Sequence, residues 1–178
     1  MTGVVTIVSG LPGVGKTTVA RALATSASRG VLLDSDAVGE EFIVSGLVLP
    51  GGTPAEESER QLTLRRRNLC MLAGNFAAEG FEVFISDVVL WPPLLASYRA
   101  AIPGELRFVL LTADESTIGA RDSARDKQVA DAWSHLRADQ DAWASPGLRL
   151  DTSELTVDET IDAVRRGESD ARLSSSWV

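Results

Sequence analysis

Eight residues, Gly10-Leu11-Pro12-Gly13-Val14-Gly15-Lys16-Thr17, fill every position of G-x-x-x-x-G-K-[ST] and restrict what this chain can fold into more than any other stretch. The motif needs a strand before it and a helix after it, and the sequence supplies both. Val4 to Val8 is β-branched almost throughout, which suits a strand buried on both faces. Thr17 to Ser28 is alanine-rich, with Val19, Leu23 and Ala27 at helical spacing, and Arg29-Gly30 stops it. Between them, glycines let consecutive backbone N–H groups turn toward a phosphate, and the following helix adds the positive end of its dipole. Lys16 supplies a point charge to the β- and γ-phosphates, and the Thr17 hydroxyl suits Mg²⁺. A glycine turn with a merely solubilising lysine is the alternative. Only Lys16 and Lys127 among the 17 basic residues are lysines, which makes a chance lysine at this position improbable. The expected nucleotide-binding set is Gly10, Leu11, Pro12, Gly13, Val14, Gly15, Lys16, Thr17 and Thr18.

Downstream, short apolar runs alternate with helical patterns, the signature of an α/β fold with a parallel sheet covered by helices. Strands are expected at Val31 to Leu33, Val83 to Ile85, Arg107 to Thr112 and Gly147 to Asp151. Helices are expected at Asp36 to Gly46, Ser58 to Glu79, Pro92 to Ala101 and Val129 to Trp143. The long one carries an apolar stripe of Leu62, Leu69, Ala73 and Phe76. Asp114-Glu115 favour another helix start. Thr156-Val157-Asp158-Glu159 is a capping box ahead of a last helix. Leu47 to Pro54, with two prolines and Gly51-Gly52, reads as a mobile loop, either a substrate flap or plain surface. One domain over residues 1–166 is expected, with 167–178 a flexible tail.

A chain of 178 residues buries enough core to need no staples, and its single Cys70 forms no internal disulfide. The net charge of −8 disfavours a nucleic-acid footprint. No apolar run approaches the roughly 20 residues of a membrane span, and the N-terminus has no basic signal region. A cytoplasmic protein acting without nucleic acid or membrane follows. A homo-oligomer is compatible with the sequence.

No Asn-Lys pair exists to read guanine, and 178 residues leave little room for the sensor apparatus of a motor ATPase. A Ser-His-Asp hydrolase would depend on the lone His135, with no G-x-S-x-G to partner it, and the histidine is expected to pack. Phosphoryl transfer to an alcohol is the better fit, and it needs a carboxylate near the γ-phosphate. Asp34 and Asp36 alternate beyond the second strand and Asp87 follows the third, so Asp36 is expected as the base, with Asp34 and Asp87 holding water on Mg²⁺. Helix capping is the competing role for each aspartate. Arg121 and Arg125, four apart, share a helical face and would clamp the moving phosphoryl group or stack on adenine; a solvated face of Arg–Asp pairs is the alternative. Arg65-Arg66-Arg67 reads as a solvated face from which an anionic acceptor would recruit one member. Trp91, Trp133 and Trp143 are expected in core or pocket, Trp91 facing an apolar acceptor.

These motifs, in order along most of the chain, resemble the small P-loop kinases of the chloramphenicol phosphotransferase-like group, related to gluconate and shikimate kinases and zeta toxins. The residues carrying the resemblance are 10 to 17, Asp34-Ser35-Asp36, Arg121-x-x-x-Arg125-Asp126 and Leu150-Asp151-Thr152-Ser153. It implies a P-loop NTPase three-layer sandwich whose five-stranded parallel sheet is ordered 2-3-1-4-5. It also implies an arginine-bearing lid at about 121–129 and ATP between lid and P-loop, with Thr152-Ser153 near adenine. Asp36 then matches a catalytic aspartate, and Asp34 the magnesium aspartate of shikimate kinase. The expected activity is ATP- and Mg²⁺-dependent phosphorylation of a small-molecule hydroxyl, an antibiotic or a biosynthetic intermediate. A nucleoside or nucleotide kinase and a nucleotide-gated binding module without transfer are the alternatives.

Overall fold

The computed structural model describes residues 3–123 and 135–174. Its centre is β1 (Val5–Gly10), six residues that are all buried, as a middle strand covered on both faces must be. β2 (Gly30–Asp34), β3 (Glu82–Ser86), β4 (Leu106–Thr112) and β5 (Leu148–Asp151) complete a parallel sheet in the order β2-β3-β1-β4-β5, as the resemblance implies. Leu106 and Phe108 to Leu111 on β4 are fully buried. Each such side chain contributes about 1.5–3 kcal/mol by leaving water.

Helices cover both faces. α1 (Lys16–Ser26) packs with α7 (Val157–Arg166), burying Val19, Ala20 and Leu23. α3 (Ala55–Ala78) packs with α4 (Pro92–Ala101) over β1 and β3. α3 starts a turn earlier than Ser58 because Pro54 sets the entry and Glu56 and Glu57 suit a first turn. α2 (Ser35–Glu40) is shorter than the expected Asp36 to Gly46. α5 (Glu115–Ser123) follows β4, and Asp114 fixes its start by accepting from Thr117 N at 2.6 Å. α6 (Leu136–Ala142) is the described part of the helix expected over 129–143; residues 129–134 lie outside the described residues. The Thr156/Glu159 capping box is present.

Two expectations need correction. Residues 167–178 are not all a frayed tail: α8 (Glu168–Ala171) continues the chain, Leu173 N donates to Leu106 O at 2.9 Å, and Leu173 is 5% exposed. The apolar Ala171 and Leu173 give this segment something to bury. His135, expected to pack, is exposed just before α6.

Parallel pairing aligns Val8 with Ser86, Asp34 with Ser86 and Thr112 with Asp151. All five carboxyl ends therefore meet at one edge. β1 lies between β3 and β4, so the chain switches direction there, which opens a crevice over that edge.

Candidate active site

Gly10, Gly13 and Gly15 have φ of 143°, 87° and 106°, values that side-chain-bearing residues rarely adopt. Gly15 is the N-cap of α1 and no side chain caps that helix, leaving its first N–H groups facing the crevice. A Cβ on Gly15 would meet nothing within 4 Å, so the space above the loop is open. An uncapped helix start above an open glycine cradle fits a phosphate group. Lys16 Nζ donates to Leu11 O at 3.0 Å across the loop.

Thr17 Oγ1 lies 2.9 Å from Ser86 Oγ at the end of β3. Sequence reasoning missed Ser86, although it is the strand residue that the parallel register carries alongside the loop. Asp87, expected near Mg²⁺, is 5% exposed and borders the same cavity as Thr17 and Ser86. Its Oδ2 accepts from Arg66 Nε at 3.0 Å and from the Tyr98 hydroxyl at 2.9 Å. Burial, then the Asp87 charge, push the Tyr98 phenol well above its ordinary value, so Tyr98 stays a donor. With Thr17 beside Ser86 and Asp34 on the same cavity, the oxygens present fit a hard divalent cation at the Thr17 side.

Asp34 and Asp36 do share the cavity, but not through strand alternation. Asp36 lies in α2, and Asp34 is that helix's N-cap, accepting from Asp36 N at 3.1 Å. The Asp36 side chain is 77% exposed, and its Oδ1 accepts from Arg65 Nη1 at 3.2 Å. Cavity walls that displace bulk solvent, then the charge on Asp34, raise its pKa, while Arg65 and Lys16 pull it down.

The three arginines of α3 are not one solvated face. Arg65 is 5% exposed, Arg66 is half-buried against Asp87 and Val88 O, and only Arg67 faces out. A signal existed: position 65 is three after Leu62 and four before Leu69, on the apolar stripe itself. The cavity between these groups has a volume of about 680 Å³. P-loop residues and carboxylates line it together with the apolar Leu49, Pro50, Leu62, Val88, Trp91 and Leu136. The 47–54 loop is tied down by Gln61, which accepts from Val48 N and donates to Gly46 O, each at 2.8 Å. Trp91 Nε1 donates to Asp139 Oδ2 at 3.0 Å, while Trp143 packs on Phe108.

On the far side of the P-loop, Arg121 donates to Val14 O (3.0 Å), Thr152 Oγ1 (3.0 Å) and Thr152 O (2.7 Å). It ties the loop to the end of β5 and is no isolated lid arginine. Ser153 Oγ accepts from Asp114 N at 2.9 Å. Arg125, Asp126, Lys127 and Trp133 lie outside the described residues.

A five-stranded 2-3-1-4-5 sheet with a glycine cradle at its switch point defines the P-loop fold in its small-kinase topology. The chain belongs to the AAA domain family, which matches residues 5–146. Among solved structures it is similar to a sugar kinase from Janibacter sp. HTCC2649, at 21% identity over 95% of this chain and 96% of that one, with a TM-score of 0.69. It is also similar to the Mycobacterium tuberculosis APS kinase CysC in complex with AMPPNP and APS (19% identity, 94% and 98% covered, TM-score 0.68). A gluconokinase from Sinorhizobium meliloti 1021 shares 21% identity over 94% and 95%, with a TM-score of 0.60. These likenesses establish the fold. No curated protein matches the sequence.

Proposed function

We propose that the protein transfers the γ-phosphoryl group of ATP to a hydroxyl of a small molecule, with Mg²⁺ as cofactor. The observation that carries this reading is that one cavity joins an uncapped helix start and its glycine cradle to the carboxylate of Asp36. A phosphate donor fits the glycine cradle, and a small organic body fits the apolar residues of the same cavity.

The mechanism is one of position. Gly10 to Thr18 hold the ATP phosphates through backbone N–H groups, and Lys16 places a positive charge where charge develops on the transferring group. Bound at Thr17, with Asp34 holding its water, Mg²⁺ would neutralise phosphate charge. Asp36 accepts the proton of the acceptor hydroxyl as its oxygen forms the new P–O bond and the bond to the β-phosphate oxygen breaks. Arg121 fixes the P-loop against Thr152 beside the nucleotide, and Arg125 is the lid cation of this reading. Thr152 and Ser153 border the adenine. Of the arginines a phosphorylated acceptor would recruit, Arg60 and Arg65 to Arg67, the two that line this cavity, Arg65 and Arg66, are each paired with a carboxylate, which supports an unphosphorylated acceptor.

ADP release with Mg²⁺-ATP across hydroxylated antibiotics, sugars, nucleosides and nucleotides tests the reading, with Asp36→Asn alongside. Acceptor-dependent release falling about 100-fold or more in the variant, at unchanged ATP affinity, is expected. Tight ATP binding with no acceptor-dependent release would instead favour a nucleotide-gated module.

A further inference from the structure

Arg65 is buried yet poorly partnered. Among the described residues its one ionic contact is to Asp36 Oδ1, at 3.2 Å, and its Nε has no hydrogen-bond partner. A buried guanidinium left so short of acceptors is costly, and pairing with a largely exposed carboxylate offsets little of that cost. Stability therefore does not explain an arginine on the apolar stripe of α3. The space it occupies is also specific. A Cβ built on Gly39, one turn after Asp36 in α2, would overlap the guanidinium of Arg65. Alanine is ordinarily the better residue inside a helix, so a glycine here keeps room for the arginine.

We propose that Arg65 is a positioning residue for Asp36, with Gly39 making room for it. The inference rests on the kinase reading above. Asp36 is held at two points: its backbone N–H donates to Asp34 Oδ1, and its carboxylate Oδ1 accepts from Arg65 Nη1. The side chain is open to the cavity, so Oδ2 is the oxygen that meets the acceptor hydroxyl. Fixing one oxygen from beneath removes the side-chain rotation that would turn the other away. Arg65 also borders the cavity, but its ionic contact is to Asp36, and it is through Asp36 that it acts.

The test is a double-mutant cycle on Asp36→Asn and Arg65→Gln, read both as Tm without ligand and as acceptor-dependent ADP release, with Arg65→Lys and Gly39→Ala alongside. Expected are a kcat about tenfold or more lower in Arg65→Gln, KM for ATP within about twofold, and partial recovery in Arg65→Lys. Arg65→Gln should do nothing further once Asp36 is Asn, and the two Tm shifts should not add. Gly39→Ala, which displaces the guanidinium but keeps its charge, should reproduce the loss of kcat and carries the test if Arg65→Gln does not fold. Full kcat in either variant, or an equal loss in the Asp36→Asn background, overturns the positioning role alone. Wild-type protein that releases no ADP with any acceptor overturns the kinase reading and this role with it.

Discussion

Thr17 Oγ1 and Ser86 Oγ lie 2.9 Å apart, joining the first turn of α1 to the carboxyl end of β3. The contact orients the hydroxyl that the proposed mechanism gives to Mg²⁺, and a partner of this kind is worth about 10–100-fold in metal affinity. Ser86→Ala is therefore expected to raise the Mg²⁺ concentration needed for half-maximal ATP binding by about tenfold. Calorimetric titration of ATP at a series of Mg²⁺ concentrations measures it. An unchanged Mg²⁺ requirement would remove Ser86 from the cation's surroundings.

The P-loop, the strands and the capping box were legible because each is written in adjacent residues. G-x-x-x-x-G-K-[ST] dictates its own backbone, and Thr156 with Glu159 satisfies two N–H groups within one turn. The carboxylates were legible as a group but not in their pairings. Asp34, Asp36 and Asp87 stand in similar places after strands, yet one caps a helix, one faces the cavity and one is buried beneath Arg66 and Tyr98. Those partners sit on α3 and α4, and only tertiary packing chooses among three consecutive arginines. Arg65 could have been separated from its neighbours by its place on the stripe. Tyr98 left no comparable local signal.

Arg121 bridges Val14 and Thr152 with two of its nitrogens. A lysine keeps the charge but cannot reproduce the planar fork. Each hydrogen bond from a charged donor is worth about 1.5–3 kcal/mol. Arg121→Lys is accordingly expected to weaken ATP binding by about tenfold or more and to lower Tm, because the P-loop loses its tie to β5. Binding by calorimetry and melting by circular dichroism report the two effects. ATP affinity equal to wild type would show that the tie is not what shapes the loop.

The segment after Gly167 read as a tail because its helix is only four residues long and carries three charged or polar side chains. Leu173 nevertheless packs at 5% exposure beside β4, and Arg172 pairs with Glu105 at 2.7 Å from a largely exposed position. Truncating a buried leucine costs about 2–5 kcal/mol, whereas an exposed ion pair is worth about 0–1 kcal/mol. Leu173→Ala should thus lower Tm by several degrees and Arg172→Ala by little. A Tm for Leu173→Ala indistinguishable from wild type would return this segment to the status of a tail.

Cys70 provides a probe of the core that is independent of the reaction. It lies on α3, buried at 7% exposure, and burial followed by the nearby charge of Asp87 pushes its thiol from 9.0 up to about 11. The folded state therefore holds the proton more tightly than the unfolded chain. Stability is unaffected by this group below about pH 9 and falls as the pH rises from 9 toward 11, because only the unfolded chain releases the proton freely. Cys70→Ala should remove that part of the alkaline decline, as measured by urea denaturation at a series of pH values. At pH 8 the native thiol should react with iodoacetamide far more slowly than in urea, since the thiolate is the nucleophile and burial suppresses it. Equal labelling rates in the two conditions would place Cys70 outside the core and contradict the packing of α3 against the sheet.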